Sequence, residues 1–154
     1  MAESVMTELV RHAGRERVFE IDSAATSREE IGNPPHHGTV HKLREVGVPL
    51  IPHRARQIRR DELGQWNFII TMDEENMRGL RRILGADAVT TAQRDGRVAK
   101  LLAFAREDAE LEPPARDAHG RVRDVADPWY TGDFDATYRD VLAGCQGLLA
   151  ELQV

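Results

Sequence analysis

Four stretches of the 154-residue sequence carry side chains able to do chemistry: Asp22-Ser23-Ala24-Ala25-Thr26-Ser27, Arg54-Ala55-Arg56-Gln57-Ile58, Met72-Asp73-Glu74-Glu75-Asn76 and Asp127-Pro128-Trp129-Tyr130. Carboxyl groups move protons, hydroxyl and guanidinium groups hold anions, and aromatic rings flank flat substrates. Each stretch also has a plainer reading. Arg54, Arg56, Arg59 and Arg60 form a basic run of the kind that edges a solvated surface, Asp73 suits a helix N-cap, and Asp127-Pro128 suits a turn. His36, His37 and His41 lie close enough along the chain to share a metal ion if a helix begins there. The single cysteine, Cys145, falls in an apolar helical stripe, where the expected role is that of a small buried core residue.

The elements that must position these groups are read from hydrophobic spacing. Val5, Met6, Leu9 and Val10 recur at helical steps, so the chain starts inside a helix that Gly14 can end. Val18 to Ala24 alternates with a β-branched bias and reads as a strand running into a small-residue loop. Gly32-Asn33-Pro34-Pro35 breaks regular structure, and Thr39, Val40, Leu43 and Val46 mark a second helix stopped by Gly47 and Pro49. Asp61-Glu62-Leu63 reads as a short helical turn, and Asn67 to Met72 as a buried parallel strand. Asp73 then caps a helix through Met77, Leu80, Ile83 and Leu84, ended by Gly85. Val98 to Phe104 is the next strand, followed by a long acidic loop from Arg106 to Asp127. Phe134, Tyr138, Val141, Leu142, Cys145, Leu148, Leu149 and Leu152 form the stripe of a closing helix. Strands alternating with helices predict an α/β domain with a mostly parallel sheet.

Composition bounds the rest. Hydrophobic residues at 41% against charged residues at 31% are globular proportions, and no run approaches the roughly 18 apolar residues of a membrane span. The formal charge of −5 argues against a general nucleic-acid binder. One cysteine cannot form an internal disulfide, and Glu3, Glu8, Arg11 and Arg15 interrupt any export signal, so the cytoplasm is the expected location.

In their order and spacing the four stretches, with Ile31-Gly32-Asn33-Pro34-Pro35 after the first, resemble the low-molecular-weight protein tyrosine phosphatases, and the likeness runs from Met1 to the last helix. The resemblance implies one domain over residues 1–154, folded as a small doubly wound parallel sheet flanked by helices. It implies hydrolysis of a phosphotyrosine protein or a small aryl phosphate through a phosphocysteine, without metal or other cofactor. By the same resemblance Asp127 is the general acid and later the base, and Pro128 fixes its backbone. Trp129 and Tyr130 then wall the substrate ring, Ser23 and His53 support the phosphate-binding loop, and Asp73 matches a family aspartate. No family role uses the three histidines near residue 36, and Glu29 stands where some members carry an aromatic specificity residue.

One departure stands out. The family's nucleophile lies in a loop of cysteine, five residues and arginine, between the first strand and the first helix, and the 154 residues contain no such loop. Cys145 has no arginine six positions on. The first strand is central in such a sheet, and losing it removes hydrogen-bond partners and buried aliphatic side chains worth roughly 1.5 to 3 kcal/mol each. The expectation is that Met1 is an internal methionine, that the natural product begins upstream, and that residues 1–154 alone are inactive. The competing readings are a non-catalytic pseudophosphatase that binds without turning over, and a thioredoxin-coupled arsenate reductase, which would need cysteines that Val98 to Asp127 lacks.

Overall fold

In α1 (Ala2–His12) one face carries Val5, Met6 and Val10 into the core, with Glu3 in the first turn and Arg11 and His12 in the last, where each sign suits the helix dipole. The computed structural model describes residues 1–152. After α1 the chain reverses at Gly14, whose φ of +66° is the left-handed region that glycine tolerates. The expected strand over 18–24 forms no ladder: among the described residues Phe19 to Ala24 make no backbone-to-backbone hydrogen bond, and pairing begins at a parallel bridge from Ala25 to Gln57.

Helix α2 (His37–Glu45) follows, then a 3₁₀ turn at Arg60–Gly64, β1 (Ile69–Thr71), α3 (Glu74–Leu84), α4 (Ala86–Arg94) and β2 (Val98–Lys100). Asp73 caps α3 by accepting from the Asn76 N–H at 2.7 Å, and Gly85 ends it at a φ of +98°. Helix α4 was not legible because only Val89 and Ala92 of its residues are buried, too narrow a stripe to register as a period. The expected strand over 98–104 stops at Lys100, and Leu101–Phe104 winds into a 3₁₀ turn. Leu101 and Leu102 are both buried in the same core, which the alternation of a strand would forbid. After the long loop come the one-turn helix α5 (Pro128–Thr131) and α6 (Phe134–Leu152).

Strands β1 and β2 pair in parallel, Ile69 opposite Val98 and Thr71 opposite Lys100. Their pleat divides the apolar residues between two cores: Ile70 and Met72 pack with Val5, Leu43, Val141 and Leu149, whereas Ile69 packs with Ile58, Leu80 and Val89. The molecule is therefore an α/β structure with a small parallel sheet between helical layers, α1, α2 and α6 on one face and α3 and α4 on the other. No described helix is long and apolar enough to cross a membrane.

Candidate active site

Asp127 is held from three directions. Strand β1 is continued by the Val125 N–H, which donates to the Met72 carbonyl at 2.9 Å and brings the end of the long loop to the C-terminal end of the sheet. Helix α6 grips the next residue by both peptide groups: the Ala126 N–H donates to Asp140 at 2.9 Å, and the Thr137 hydroxyl donates to the Ala126 carbonyl at 2.6 Å. Asp140 is itself 3% exposed and takes a two-pronged contact from the Arg123 guanidinium, both bonds at 2.7 Å. Lys100 ties the same loop to the sheet through the Val122 carbonyl at 3.1 Å and Asp124 at 3.0 Å. The Asp127 side chain then caps α5, accepting from the Trp129 N–H at 2.9 Å, with Pro128 at the first helical position.

A second group of side chains gathers at the N-terminus of α1. The Ser23 hydroxyl donates to Glu3 at 2.5 Å and lies 3.4 Å from His53 Nε2, and His53 Nδ1 is 3.3 Å from the same Glu3 carboxylate. Arg56 bridges outward from this group to Asp22 at 2.8 Å and inward to Glu62, with both of its terminal nitrogens at 3.0 Å from the carboxylate. Burial works against the charge on Glu62. The Arg56 guanidinium, the Arg59 N–H and the Trp66 indole together outweigh that cost and hold it down at about 2. The arginine run is thus not a solvated edge throughout: Arg56 and its two carboxylates form a structural joint, while Arg59 and Arg60 stay exposed. Glu3, Asp22 and His53 each offer a ligand atom within 4.8 Å of the others, but the Arg56 guanidinium already supplies a cation to Asp22 there. His36 and His37 lie 4.1 Å apart between ring centroids with planes tilted by 30°, and His41 faces Glu45, so the three histidines do not converge.

Trp129 is 71% and Tyr130 82% exposed, two rings presented to solvent beside Asp127. His36 meets Trp129 edge-on at 6.0 Å and stacks on Phe134 at 5.5 Å. Asp127, His36, Ser23, His53 and Asp73 all line one cavity of about 1170 Å³. Cys145 borders its apolar interior on α6, 2% exposed, and burial pushes its thiol up to about 12, far from the thiolate a nucleophile needs.

The family profile described as "Low molecular weight phosphotyrosine protein phosphatase" matches residues 1–154. The chain belongs to that family. It is 34% identical to the low molecular weight protein-tyrosine-phosphatase YfkJ of Bacillus subtilis over 153 residues, 99% of this chain and 86% of that protein. The human low molecular weight phosphotyrosine protein phosphatase is 30% identical over 97% of this chain and 84% of its own length. The crystal structure of YfkJ superposes with a TM-score of 0.80 over 99% of this chain and 84% of that one, and that of the Streptococcus pyogenes enzyme with 0.70 at 31% identity. Within the phosphatase family fold, the structure gathers Ser23 with His53 at one side of the cavity and places Asp127 at another, with Trp129 and Tyr130 following it outside the lining. Sequence reasoning missed the roles of Glu3, Thr137 and Asp140, and gave Asp22 no partner. The polar pair Thr137 and Asp140, three residues apart on an otherwise apolar helix face, was the one local signal available.

Proposed function

We propose that the chain supplies the acid–base and aryl-binding part of a hydrolase of phosphotyrosine and small aryl phosphate monoesters, with Asp127 as the proton donor and acceptor. The observation that carries this reading is the three-way restraint of Asp127 at the C-terminal end of the sheet, next to two exposed aromatic rings. A thiolate attacks phosphorus, the bond to the aryl oxygen breaks, and the departing oxygen takes the proton of the Asp127 carboxyl group. Asp127, now a carboxylate, removes a proton from water as that water attacks phosphorus. The phosphorus–sulfur bond breaks, releasing inorganic phosphate and restoring the thiolate. Trp129 and Tyr130 flank the aryl ring. Ser23 and His53 orient the phosphate-binding loop through the hydroxyl and imidazole that meet at 3.4 Å.

The thiolate is not Cys145, which is buried and held protonated. In this reading it arrives with a loop of cysteine, five residues and arginine from a segment outside the 154 residues. The test is para-nitrophenyl phosphate hydrolysis. Residues 1–154 alone should show no turnover above background, and the same chain extended by a strand and such a loop ahead of Met1 should hydrolyse the ester. Asp127→Asn in the extended chain should lower kcat by about 10² to 10⁴. Turnover by residues 1–154 that survives Cys145→Ser would remove the mechanism, and an undiminished Asp127→Asn rate would remove Asp127 from its role.

A further inference from the structure

Trp129 and Tyr130 follow one another on α5, yet only one of them is braced. Tyr130 meets no other aromatic ring among the described residues. Trp129 is also largely exposed, but the His36 ring stands edge-on to it, 6.0 Å away between centroids and at 79° between planes. His36 is in turn fixed from three sides. Pro34-Pro35 stiffens the chain that delivers it, its Nδ1 accepts the Gly38 N–H at 3.0 Å as the N-cap of α2, and its face stacks on Phe134 at 5.5 Å with the planes 18° apart. Phe134 is the first residue of α6 and lies over the backbone of α2: a Cβ on Gly38 would fall 2.2 Å from its Cζ, so a side chain there would push the ring away. One turn further along α2, the buried Lys42 is held between Glu45 of its own helix at 3.0 Å and Asp135 of α6, over the Tyr138 ring. The starts of α2 and α6 are thereby locked together, and the lock ends in an imidazole ring set against Trp129.

We infer that His36 is a positioning residue for the substrate wall: through the stack of Gly38, Phe134 and His36 it sets the angle at which the Trp129 indole meets an aryl ring, and so governs how tightly aryl phosphates bind. This role presupposes the aryl phosphate chemistry proposed for Asp127 and adds the residue that shapes its wall. An exposed tryptophan gives up side-chain freedom when a substrate packs on it, and a neighbour that restricts the ring beforehand lowers that cost. His36 does not act on the proton in flight. No hydrogen bond joins it to Asp127 among the described residues; both border a cavity of about 200 Å³ with Trp129 and Phe134. The peptide groups beside Asp127 are held by β1 and α6 instead. Loss of the His36 ring therefore weakens binding and leaves the acid in place. The ring and the cap are separable in chemistry: asparagine accepts the Gly38 N–H as a cap but has no ring, and phenylalanine has the ring but no acceptor.

Ring placement is read without turnover, from nuclear Overhauser contacts between the aromatic protons of residues 36 and 129 in the 154-residue chain. The contact should be present in the parent chain and in His36→Phe. In the extended chain that carries the nucleophile, His36→Asn should raise KM for para-nitrophenyl phosphate by about three- to tenfold with kcat held within about twofold, and His36→Phe should bring KM back near the parent value. Gly38→Ala touches neither Trp129 nor Asp127 and favours the helix, but it displaces Phe134 from behind His36, so it should raise KM in the same direction. A KM unmoved in either His36→Asn or Gly38→Ala would overturn the role, as would a KM raised as far by His36→Phe as by His36→Asn. Absence of the ring contact in the parent chain would overturn it as well. A fall in kcat with KM unchanged would put His36 with the acid instead of the wall, again against the inference. An extended chain that hydrolyses no aryl phosphate would remove the proposed function and this role with it, whereas parental turnover with an unmoved KM in the variants removes this role alone.

Discussion

A glutamate with 2% of its side chain exposed must be either neutralised by partners or protonated, and Glu62 is neutralised. Its folded titration near 2 lies below the ordinary 4.5, so it stabilises the native state fully above about pH 4.5 and loses that contribution as pH falls toward 2. The shift corresponds to roughly 3 kcal/mol. Urea unfolding at pH 6 and pH 3 should show this loss in the native chain, and Glu62→Gln should be less stable at pH 6 and flatter across that window. Asp140, buried and held by the two-pronged contact with Arg123, has a functional consequence. In the extended chain that carries a nucleophile, Asp140→Asn should cost about 10-fold or more in kcat while leaving KM nearly unchanged, because Asp140 touches Ala126 rather than substrate. A variant that changed only melting temperature would make Asp140 merely structural. Such polar partnerships span long stretches of chain, 34 residues from Asp22 to Arg56 and 17 from Arg123 to Asp140, and no local pattern announces them.

At the scale of elements, spacing recovered α1, α3 and α6, whose buried stripes are wide, with the capping aspartate and terminal glycine of α3, while α2 stood out between the prolines before it and Gly47 after it. It overran the strands. Three-residue strands such as β1 and β2 offer barely one period, and the apolar residues after Lys100 belong to a 3₁₀ turn shaped by the helix it packs on. That packing is close: a Cβ on Gly147 of α6 would fall 1.7 Å from the Phe104 carbonyl oxygen, and one on Gly144 would fall 2.5 Å from the Leu101 side chain. Backbone cannot rotate away as a side chain can. Gly147→Ala should therefore destabilise the chain by about 1 to 3 kcal/mol or more, measured by denaturant midpoint, whereas Gly120→Ala, with open space around it but a φ of +76°, should cost about 1 kcal/mol from its backbone alone. Of the proposed site, Asp127 with its two rings and the pair Ser23 and His53 were named through the family resemblance; the clamp from α6 on Ala126 was not legible at all, because it joins residues distant in the chain.

The molecule as a whole consists of two apolar cores joined through a sheet of two short strands. With so narrow a joint, the helical pair α3 and α4 should open independently of α1 and α6, so that amide exchange resolves two opening free energies where a single cooperative domain would give one. Coincident exchange of both layers would contradict that division. One guanidinium also decides how the long loop meets a protease. Arg123 is spent on Asp140 and on the Pro113 and Pro114 carbonyls, so trypsin should cut first after the exposed Arg106 or Arg121 and spare the peptide bond at Arg123.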